Sequence, residues 1–404
     1  MHCVRKITED LYWVGGNDRR LELFENMFPL QKGVSYNSYL LLDEKTVLFD
    51  TVDAAIGKQF LENVSAVLDG RTLDYLVVNH MEPDHCSLIE DLHLRYPDMK
   101  IIGNIKTFPL IEQFYGMNLD DKKILVKEGE TFSCGKHTLH FVMAPMVHWP
   151  EAMMTYDEYD KVLFSADAFG TFGALDGTIF NDEVDFDRDF LDEARCYYTN
   201  IVGKYGIQVQ NVLKKAATID IQIICPLHGP IWRNNLEYLL EKYQIWSKYE
   251  TETTGVMIAY ASMYGNTENM VNVLSMMLAE AGIKNIKIHN ISKTHVSELI
   301  SDSFKYSHLV LAAPTYNNNL YPLMANYIED MKALSVQNRT VAVIGNGSWA
   351  PQSAKLMEAK LSELKNITLL TDNFAVKSAL HTEQMDLLQE LCDKIVASIN
   401  EVNA

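Results

Sequence analysis

The stretch that most limits how this chain can fold is LVVNHMEPDHCS, residues 76–87, where an apolar run ends in a cluster of ionisable side chains. His80, Glu82, Asp84 and His85 lie within six consecutive positions. Two imidazoles and two carboxylates this close together are costly unless a cation lies among them. The alternative is a solvated polar turn after a strand, and the rest of the sequence decides between the two.

Three further apolar segments end in a side chain of the same kind. His148 follows LHFVMAPMV, Asp167 follows VLFSA and His228 follows IQIICPL. One histidine after a strand is usually an ordinary hydrogen-bonded side chain, but four such strand ends gathered at one sheet edge indicate a metal site. Seven ligands are too many for one tetrahedral ion and suit two ions that share a bridge. Asp167, a lone carboxylate at a separate strand end, is the natural bridging ligand.

The pattern of secondary structure changes near residue 254. Before it, strands occur both as hairpins, such as YNSYLLLDEKTVLFDT, and between helices, which indicates a mixed sheet packed by helices, an α+β arrangement. After it, five apolar strands alternate with helices (VMIAYA, NIKIHNI, HLVLAAP, TVAVIGN and LLTDNFAV), the α/β pattern of a doubly wound parallel sheet. The polar segment ETETTG lies between the two parts. We therefore expect domains of residues 1–253 and 254–404.

The first strand of the second part leads into the loop SMYGNT, which is typical of phosphate binding. It has neither the lysine of a nucleoside-triphosphate loop nor the GxGxxG pattern. Hydroxyls and backbone N–H groups at a helix N-terminus suit the phosphate of a mononucleotide. Tyr316 and Trp349, in loops after the third and fourth strands, offer flat faces for an isoalloxazine ring, although either could simply pack on its own loop.

The predicted flavin-binding residues lie in these three loops. They are Ser262, Met263, Tyr264, Gly265, Asn266, Thr267, Pro314, Thr315, Tyr316, Asn317, Asn346, Gly347, Ser348 and Trp349.

The metal motif resembles that of the metallo-β-lactamase superfamily, whose hydrolases carry His-x-His-x-Asp-His. This chain has Glu82 where the second histidine would stand. An anionic oxygen in place of a neutral imidazole hardens the site and favours iron over zinc. The His-x-Glu-x-Asp-His variant, followed by a flavodoxin-like half, resembles the flavodiiron proteins, also called A-type flavoproteins. That resemblance implies a metallo-β-lactamase-like αββα sandwich followed by a flavodoxin-like five-stranded parallel sheet that binds FMN.

The resemblance also implies a role for each ligand. One iron would be held by His80, Glu82 and His148, the other by Asp84, His85 and His228, with Asp167 as the bridge. His85 is the exception, because the corresponding histidine does not ligate in every family member. We interpret His93, His137 and His140 as structural. Cys86 is interpreted as a small buried hydrophobic side chain rather than a thiolate ligand.

The implied activity is the reduction of dioxygen to water, of nitric oxide to nitrous oxide, or of both. A reduced flavin and two ferrous ions together hold the four electrons that dioxygen needs. The external electron donor would be a rubredoxin-like protein or a reduced deazaflavin. Family members form head-to-tail homodimers or dimers of such dimers, and the same is expected here.

The sequence leaves three alternatives open. One is a deazaflavin (F420H2) oxidase within the same family. The second is a zinc hydrolase fused to a flavodoxin, against which Glu82 argues. The third is a plain electron-transfer flavoprotein with a vestigial metal domain, which the seven intact ligand positions disfavour.

Composition excludes several other classes of function. A net charge of -19 makes nucleic acid an unsuitable partner. No apolar run reaches the length of about 18 residues that a membrane span needs, and the first residues do not have the pattern of a signal peptide. The scattered cysteines favour a reducing cytoplasm, where we expect the protein. The six cysteines include no CxxC pair, which argues against a disulfide framework, a zinc ribbon or a rubredoxin-like centre within this chain.

Overall fold

The structure is a computed structural model that describes residues 2–403. The chain divides into two compact units, Met1–Gln244 and Ile245–Ala404. The boundary expected from the sequence, between residues 253 and 254, coincides with the start of a strand at Thr253 and stays a prediction. Within the described residues, no helix combines the length and the apolar character needed to cross a bilayer.

The described residues of the first unit form sixteen strands. They are β1 (Arg5–Lys6), β2 (Leu11–Trp13), β3 (Gly16–Asp18), β4 (Leu23–Phe24), β5 (Phe28–Pro29), β6 (Val34–Tyr36), β7 (Tyr39–Leu42), β8 (Thr46–Phe49), β9 (Tyr75–Val77), β10 (Lys100–Gly103), β11 (Lys123–Leu125), β12 (Thr131–Ser133), β13 (Thr138–Met143), β14 (Met153–Asp157), β15 (Val162–Phe164) and β16 (Ile223–Cys225). Its helices are α1 (Gly57–Leu68), α2 (Pro83–Cys86), α3 (Ile89–Arg95), α4 (Thr107–Tyr115), α5 (Phe186–Asp189), α6 (Leu191–Tyr197), α7 (Gly206–Ala216) and α8 (Leu236–Ser247), the last of which contains the point of division.

Two large sheets form the core of the first unit. One has the strand order β1-β2-β7-β8-β9-β10-β11 and the other β12-β13-β14-β15-β16, and both mix parallel with antiparallel pairs. The sheets pack on each other through aromatic side chains: the rings of Phe49 on β8 and Phe164 on β15 stack with centroids 3.7 Å apart. The predicted hairpin is confirmed as β7 and β8, with Leu41 opposite Val47.

The second unit is a doubly wound sheet. Its strands are β17 (Thr253–Tyr260), β18 (Ile286–Asn290), β19 (Tyr306–Tyr316), β20 (Asn319–Leu320), β21 (Arg339–Asn346), β22 (Ile367–Leu369) and β23 (Ala375–Val376), and its helices are α9 (Asn266–Glu280), α10 (Val296–Lys305), α11 (Pro322–Ala333), α12 (Ser353–Leu361) and α13 (Met385–Asn403). The main strands run parallel in the order β18-β17-β19-β21-β22, which confirms the predicted parallel sheet.

The fifth predicted strand, LLTDNFAV, differs in detail from the expectation. It is broken into β22 and β23, both of which pair with β21. Asn373, between them, has a left-handed backbone with φ of 53°. Asparagine tolerates this conformation better than most residues, and it interrupts an extended strand.

Candidate metal centre and flavin site

A buried carboxylate organises the loop that carries the ligand motif. Asp50 follows β8, is 1% exposed and accepts hydrogen bonds from the backbone N–H groups of Asn79 (2.7 Å) and His80 (3.1 Å). The side chain of Asn79 donates to Asp50 and accepts from Thr155 on β14 of the other sheet. The loop after β9, which carries the first four ligands, is therefore hydrogen-bonded to both sheets.

The second sheet supplies the remaining three ligands. Asp167 and His228 follow β15 and β16, which are adjacent and parallel, so their side chains emerge at the same sheet edge. His148 differs from the expected strand end: it lies in the turn between β13 and β14, closed by the backbone bond from Met146 N–H to the Trp149 carbonyl (2.8 Å).

The ligand side chains form two groups, which we call the His80 set (His80, Glu82 and His148) and the His228 set (Asp84, His85 and His228). In the His80 set, Glu82 Oε2 lies 3.2 Å from His80 Nε2 and 3.0 Å from His148 Nε2. In the His228 set, Asp84 Oδ2 lies 3.3 Å from Nε2 of His85 and of His228. The structure thus brings all seven predicted residues together.

Asp167 lies between the two sets and presents one oxygen to each. Its Oδ2 is 3.2 Å from His80 Nε2 and 3.1 Å from His148 Nε2. Its Oδ1 is 3.1 Å from His85 Nε2 and 3.8 Å from His228 Nε2. For metal–ligand bonds of about 2.1 Å, neighbouring ligand atoms of a tetrahedron or octahedron are about 3.0–3.4 Å apart. The side chains therefore fit two cations with a shared carboxylate.

The electrostatics of the cluster also call for cations. Both carboxylate oxygens of Asp84, and Oδ1 of Asp167, are buried and make no hydrogen bond with any described residue. Burial by itself would lower the pKa of His148, but its hydrogen bonds with Asp167 and Glu82 raise that pKa to about 9. Burial would raise the pKa of Asp167, but the His80 and His85 imidazoles hold it well below its usual value. Protons thus occupy the positions at which a metal would bind, and metal binding releases them.

Access to the cluster is uneven. The side chains of His80, His85, His228 and Asp167 are at most 1% exposed, whereas Glu82 is 13% and Asp84 12% exposed. Aromatic rings close the His228 side: Phe24 and Tyr197 each lie 5.4 Å from its ring and Tyr36 lies 5.6 Å away, between centroids. The exposed edge of the cluster is therefore formed by Glu82, Asp84 and His148, whose side chain is 10% exposed.

Several residues around the cluster escaped the sequence analysis. Tyr197 is fully buried, and its hydroxyl makes no hydrogen bond with any described residue. Burial and the negative charge of Asp167 raise its pKa well above the usual value, so the phenol stays protonated. Burial and the neighbouring Glu82 raise the pKa of Glu25 to about 8. Glu151 pairs with His80. None of these contacts has a signal in local sequence.

Two of the residues interpreted as structural, His137 and Cys86, lie in buried positions with partners. His137 is buried, with Nδ1 2.8 Å from Asp157 Oδ2 and Nε2 3.3 Å from Asp10 Oδ2, where both ring nitrogens are occupied by carboxylates. Cys86 is fully buried, and burial raises the pKa of its thiol to about 12, which keeps it protonated.

The second unit has a cavity of about 380 Å³ at the carboxyl ends of its parallel strands. All the predicted flavin-binding residues line it except Gly265, which caps α9 with φ of 87°. Asn318, Ala350 and Ser378 also line it and were not predicted. Ser378 enters because its backbone N–H and carbonyl bond the Asn346 side chain, a contact between residues far apart in sequence.

The cavity has the two features that a flavin mononucleotide needs. No side chain in the described part of the chain caps α9, so its first backbone N–H groups are available to a phosphate. Trp349 is 86% exposed and Tyr316 42% exposed, so apolar ring faces lie open around the cavity. Asn317 and Asn318 form the left-handed turn between β19 and β20 that supports Tyr316.

The comparisons with known proteins agree with this arrangement. Residues 34–229 match the family model described as "ODP family beta lactamase" and residues 258–392 match that of flavodoxin. A nitric oxide reductase from Moorella thermoacetica is 31% identical, over 97% of this chain and 98% of its own length. The anaerobic nitric oxide reductase flavorubredoxin of Vibrio vulnificus is 31% identical over 88% of this chain and 72% of its own.

Solved structures show the same two-part architecture. The rubredoxin oxygen:oxidoreductase from Desulfovibrio gigas superposes with a TM-score of 0.91 at 29% identity, covering 99% of this chain and 100% of its own. A variant of the flavo di-iron protein from Thermotoga maritima gives 0.88 at 26% identity, covering 98% of both chains. The chain belongs to the flavodiiron protein family.

Flavodiiron proteins are oxidoreductases, and so is this chain. Its cofactors are FMN, bound by the flavodoxin domain, and two non-haem iron ions. The unsatisfied oxygens of Asp84 and Asp167 fit hard cations such as iron.

We expect that changing Asp167→Ala drains both metals. The variant leaves each set without its shared anionic ligand and leaves buried imidazoles without a counter-charge. Iron content per chain, measured after anaerobic reconstitution with ferrous iron, should fall from close to two toward zero. Asp157→Ala, which removes a buried carboxylate from the His137 pair, is the matched control and should keep its iron. Retention of both irons by Asp167→Ala would refute the bridging assignment.

We expect that changing Thr267→Asp expels FMN while iron remains. Thr267 is 2% exposed at the first turn of α9, and no lysine or arginine is among the described residues that line the cavity. Like charges about 4 Å apart repel by about 4 kcal/mol at an effective dielectric constant of 20, which is far more than a tenfold loss of affinity. Thr267→Asn, similar in shape but neutral, is the control. Equal flavin retention in both variants would place the phosphate elsewhere.

Proposed function

We propose that this protein reduces dioxygen to water, nitric oxide to nitrous oxide, or both, at a diiron site fed by FMN. The observation that carries the proposal is Asp167, which presents one oxygen to each of two complete ligand sets. It is supported by relatives that are named nitric oxide reductase and rubredoxin oxygen:oxidoreductase. The irons would be held by the His80 set and the His228 set, with Asp167 as bridge.

The bound cofactors would supply the electrons. Reduced FMN holds two electrons and the ferrous pair holds two more, which together match the four-electron reduction of dioxygen. The coupling of two nitric oxide molecules needs only two of these four electrons. The chain's own residues hold the site in place. Asp50 fixes the loop that carries His80, and the Phe24, Tyr36 and Tyr197 rings keep water from the His228 side. Tyr197 keeps its proton and offers an unused hydrogen-bond donor close to the cluster.

The electron donor is proposed to be external and protein-borne. The chain has no CxxC pair that could hold a rubredoxin-like iron centre, and its relative from Desulfovibrio gigas is named for a rubredoxin partner. A reduced deazaflavin is the second candidate donor. A donor assay with each, under anaerobic conditions, separates a rubredoxin-dependent enzyme from an F420H2 oxidase.

The gas reaction is tested with chemically reduced protein that contains FMN and iron. We expect one dioxygen to be consumed per fully reduced chain without release of peroxide, and nitric oxide to give nitrous oxide in a two-to-one ratio, because the electron store matches these stoichiometries. Asp167→Ala loaded with FMN is the control. Its reduced FMN should be oxidised only slowly by dioxygen, with release of peroxide, as free reduced flavin is. Peroxide as the main product of the intact protein would contradict the proposal, and zinc without iron would favour the hydrolase alternative.

We further propose a head-to-tail homodimer in which the flavin of one chain serves the irons of the other. Trp349 is 86% and Tyr264 89% exposed at the flavin cavity, and exposed aromatic groups of this size mark contact surfaces. A closed two-fold pair is also the most common oligomer.

The dimer is tested by mixing two inactive chains. One lacks metal (His80→Ala with Asp167→Ala) and the other lacks flavin (Thr267→Asp). After subunit exchange, a mixed dimer pairs the irons of the second chain with the flavin of the first, so the mixture should regain about a quarter of the wild-type turnover. A mixture that stays inactive, although mass spectrometry shows mixed dimers, would mean that electrons pass within one chain.

A further inference from the structure

The two ligand sets carry equal charge, but the groups that accept a hydrogen bond from the Nδ1 atoms of their histidines differ. Each has one carboxylate of its own, and both share Asp167. Behind His80, Nδ1 lies 3.0 Å from Oε1 of Glu151. Behind His228, Nδ1 lies 2.7 Å from the backbone carbonyl oxygen of Ser35, which is neutral. His85 Nδ1 makes no hydrogen bond with any described residue.

Hydrogen bonds to neighbouring residues fix the position of Glu151. It lies in the same β13–β14 turn as His148, is 1% exposed, and its Oε1 also accepts the backbone N–H of Met81 at 2.9 Å. Its backbone carbonyl accepts a hydrogen bond from the Asn104 side chain at 2.6 Å. In the described part of the chain, Oε2 makes no hydrogen bond, and the ion pair of this carboxylate is with His80. The buried negative charge of Glu151 is therefore shared between the His80 imidazole and the Met81 N–H group.

The chemical consequence follows from how imidazole binds metals. When Nδ1–H donates to a carboxylate, the tautomer is fixed, Nε2 is free to ligate, and its basicity rises. A more basic ligand with an extra negative charge behind it stabilises ferric over ferrous iron. A backbone carbonyl behind His228 orients the ring but adds no net charge.

We propose that Glu151 is a positioning residue that makes the two iron positions unequal, so that the iron of the His80 set is oxidised first. The inference rests on the ligand assignment of the proposed function. In the step concerned, the ferrous ion of the His80 set becomes ferric and one electron passes to the oxidant, a dye mediator in titration or the gas in turnover. The Nδ1 proton stays between His80 and Glu151.

The variant Glu151→Gln isolates the charge. The amide oxygen can take the place of Oε1 and accept both the Met81 N–H and the His80 Nδ1–H, so the geometry is kept and only the negative charge is lost. In an anaerobic redox titration of the holoprotein, followed by electron paramagnetic resonance of the mixed-valence pair, the first oxidation step should move to higher potential. We expect a shift of at least about tenfold in the ferric-to-ferrous ratio, about 59 mV for a one-electron couple. The second step should move less, so the maximum mixed-valence fraction falls.

Two further variants complete the test. Glu158→Gln is the matched control, because it neutralises an exposed glutamate 2.9 Å from the His140 imidazole, outside the cluster, and should move neither step. Glu151→Asp keeps the negative charge and should retain part of the difference in potential between the two oxidation steps. Equal movement of both steps, or of neither, in Glu151→Gln would overturn the inference. If wild-type protein reconstituted with iron shows no mixed-valence state and fewer than two irons, the ligand assignment itself fails, which is a separate result.

Discussion

The first unit depends on one electrostatic constraint: three ligand carboxylates and four imidazoles converge where its two sheets meet. Burying such charges without compensation costs far more than a domain's net stability. In the structure the imidazoles share protons with Glu82 and Asp167, while both oxygens of Asp84 make no hydrogen bond with any described residue. Cations in place of these protons would also satisfy the oxygens of Asp84. The free energy of metal binding would therefore add to the stability of this folded region.

That constraint explains why so much of the surrounding structure consists of polar contacts over long sequence distances. Asp50, buried at the end of β8, orders the loop that carries the motif, and Asn79 links that loop to β14 of the second sheet. His228 is held through Ser35, and His80 through Glu151. Each contact restricts the orientation of a ligand side chain or of the loop that carries it, so the ligand geometry is present without a metal. Pre-organisation of this kind is what gives a metal site its affinity and selectivity.

The ligands and the flavin loops could be predicted because their signal is local. His80, Asp167 and His228 each follow an apolar strand, and strand ends at one sheet edge meet in space, so these three could be grouped from sequence alone. His148 was grouped with them although it lies in a turn between β13 and β14. Asp50, Glu151 and Ser378 could not, because their roles depend on partners that lie far away along the chain. The break in the fifth strand also escaped prediction, since the left-handed backbone at Asn373 overrides an otherwise β-like apolar run.

The two cofactor sites differ in their electrostatics, and this difference affects the reduction potentials of the flavin and of the irons. The metal site concentrates negative charge and relies on cations to balance it, whereas the flavin cavity receives a phosphate dianion with only neutral donors at the N-terminus of α9. In a chain of net charge -19, a flavin that gains electrons is not stabilised by nearby cationic side chains of its cavity, while ferric iron is stabilised by carboxylates. The charge distribution thus disfavours electron storage on the flavin and favours the oxidised state of the irons. In the proposed function, the first effect favours electron transfer from the flavin to the irons, and the second favours electron transfer from the irons to the gas.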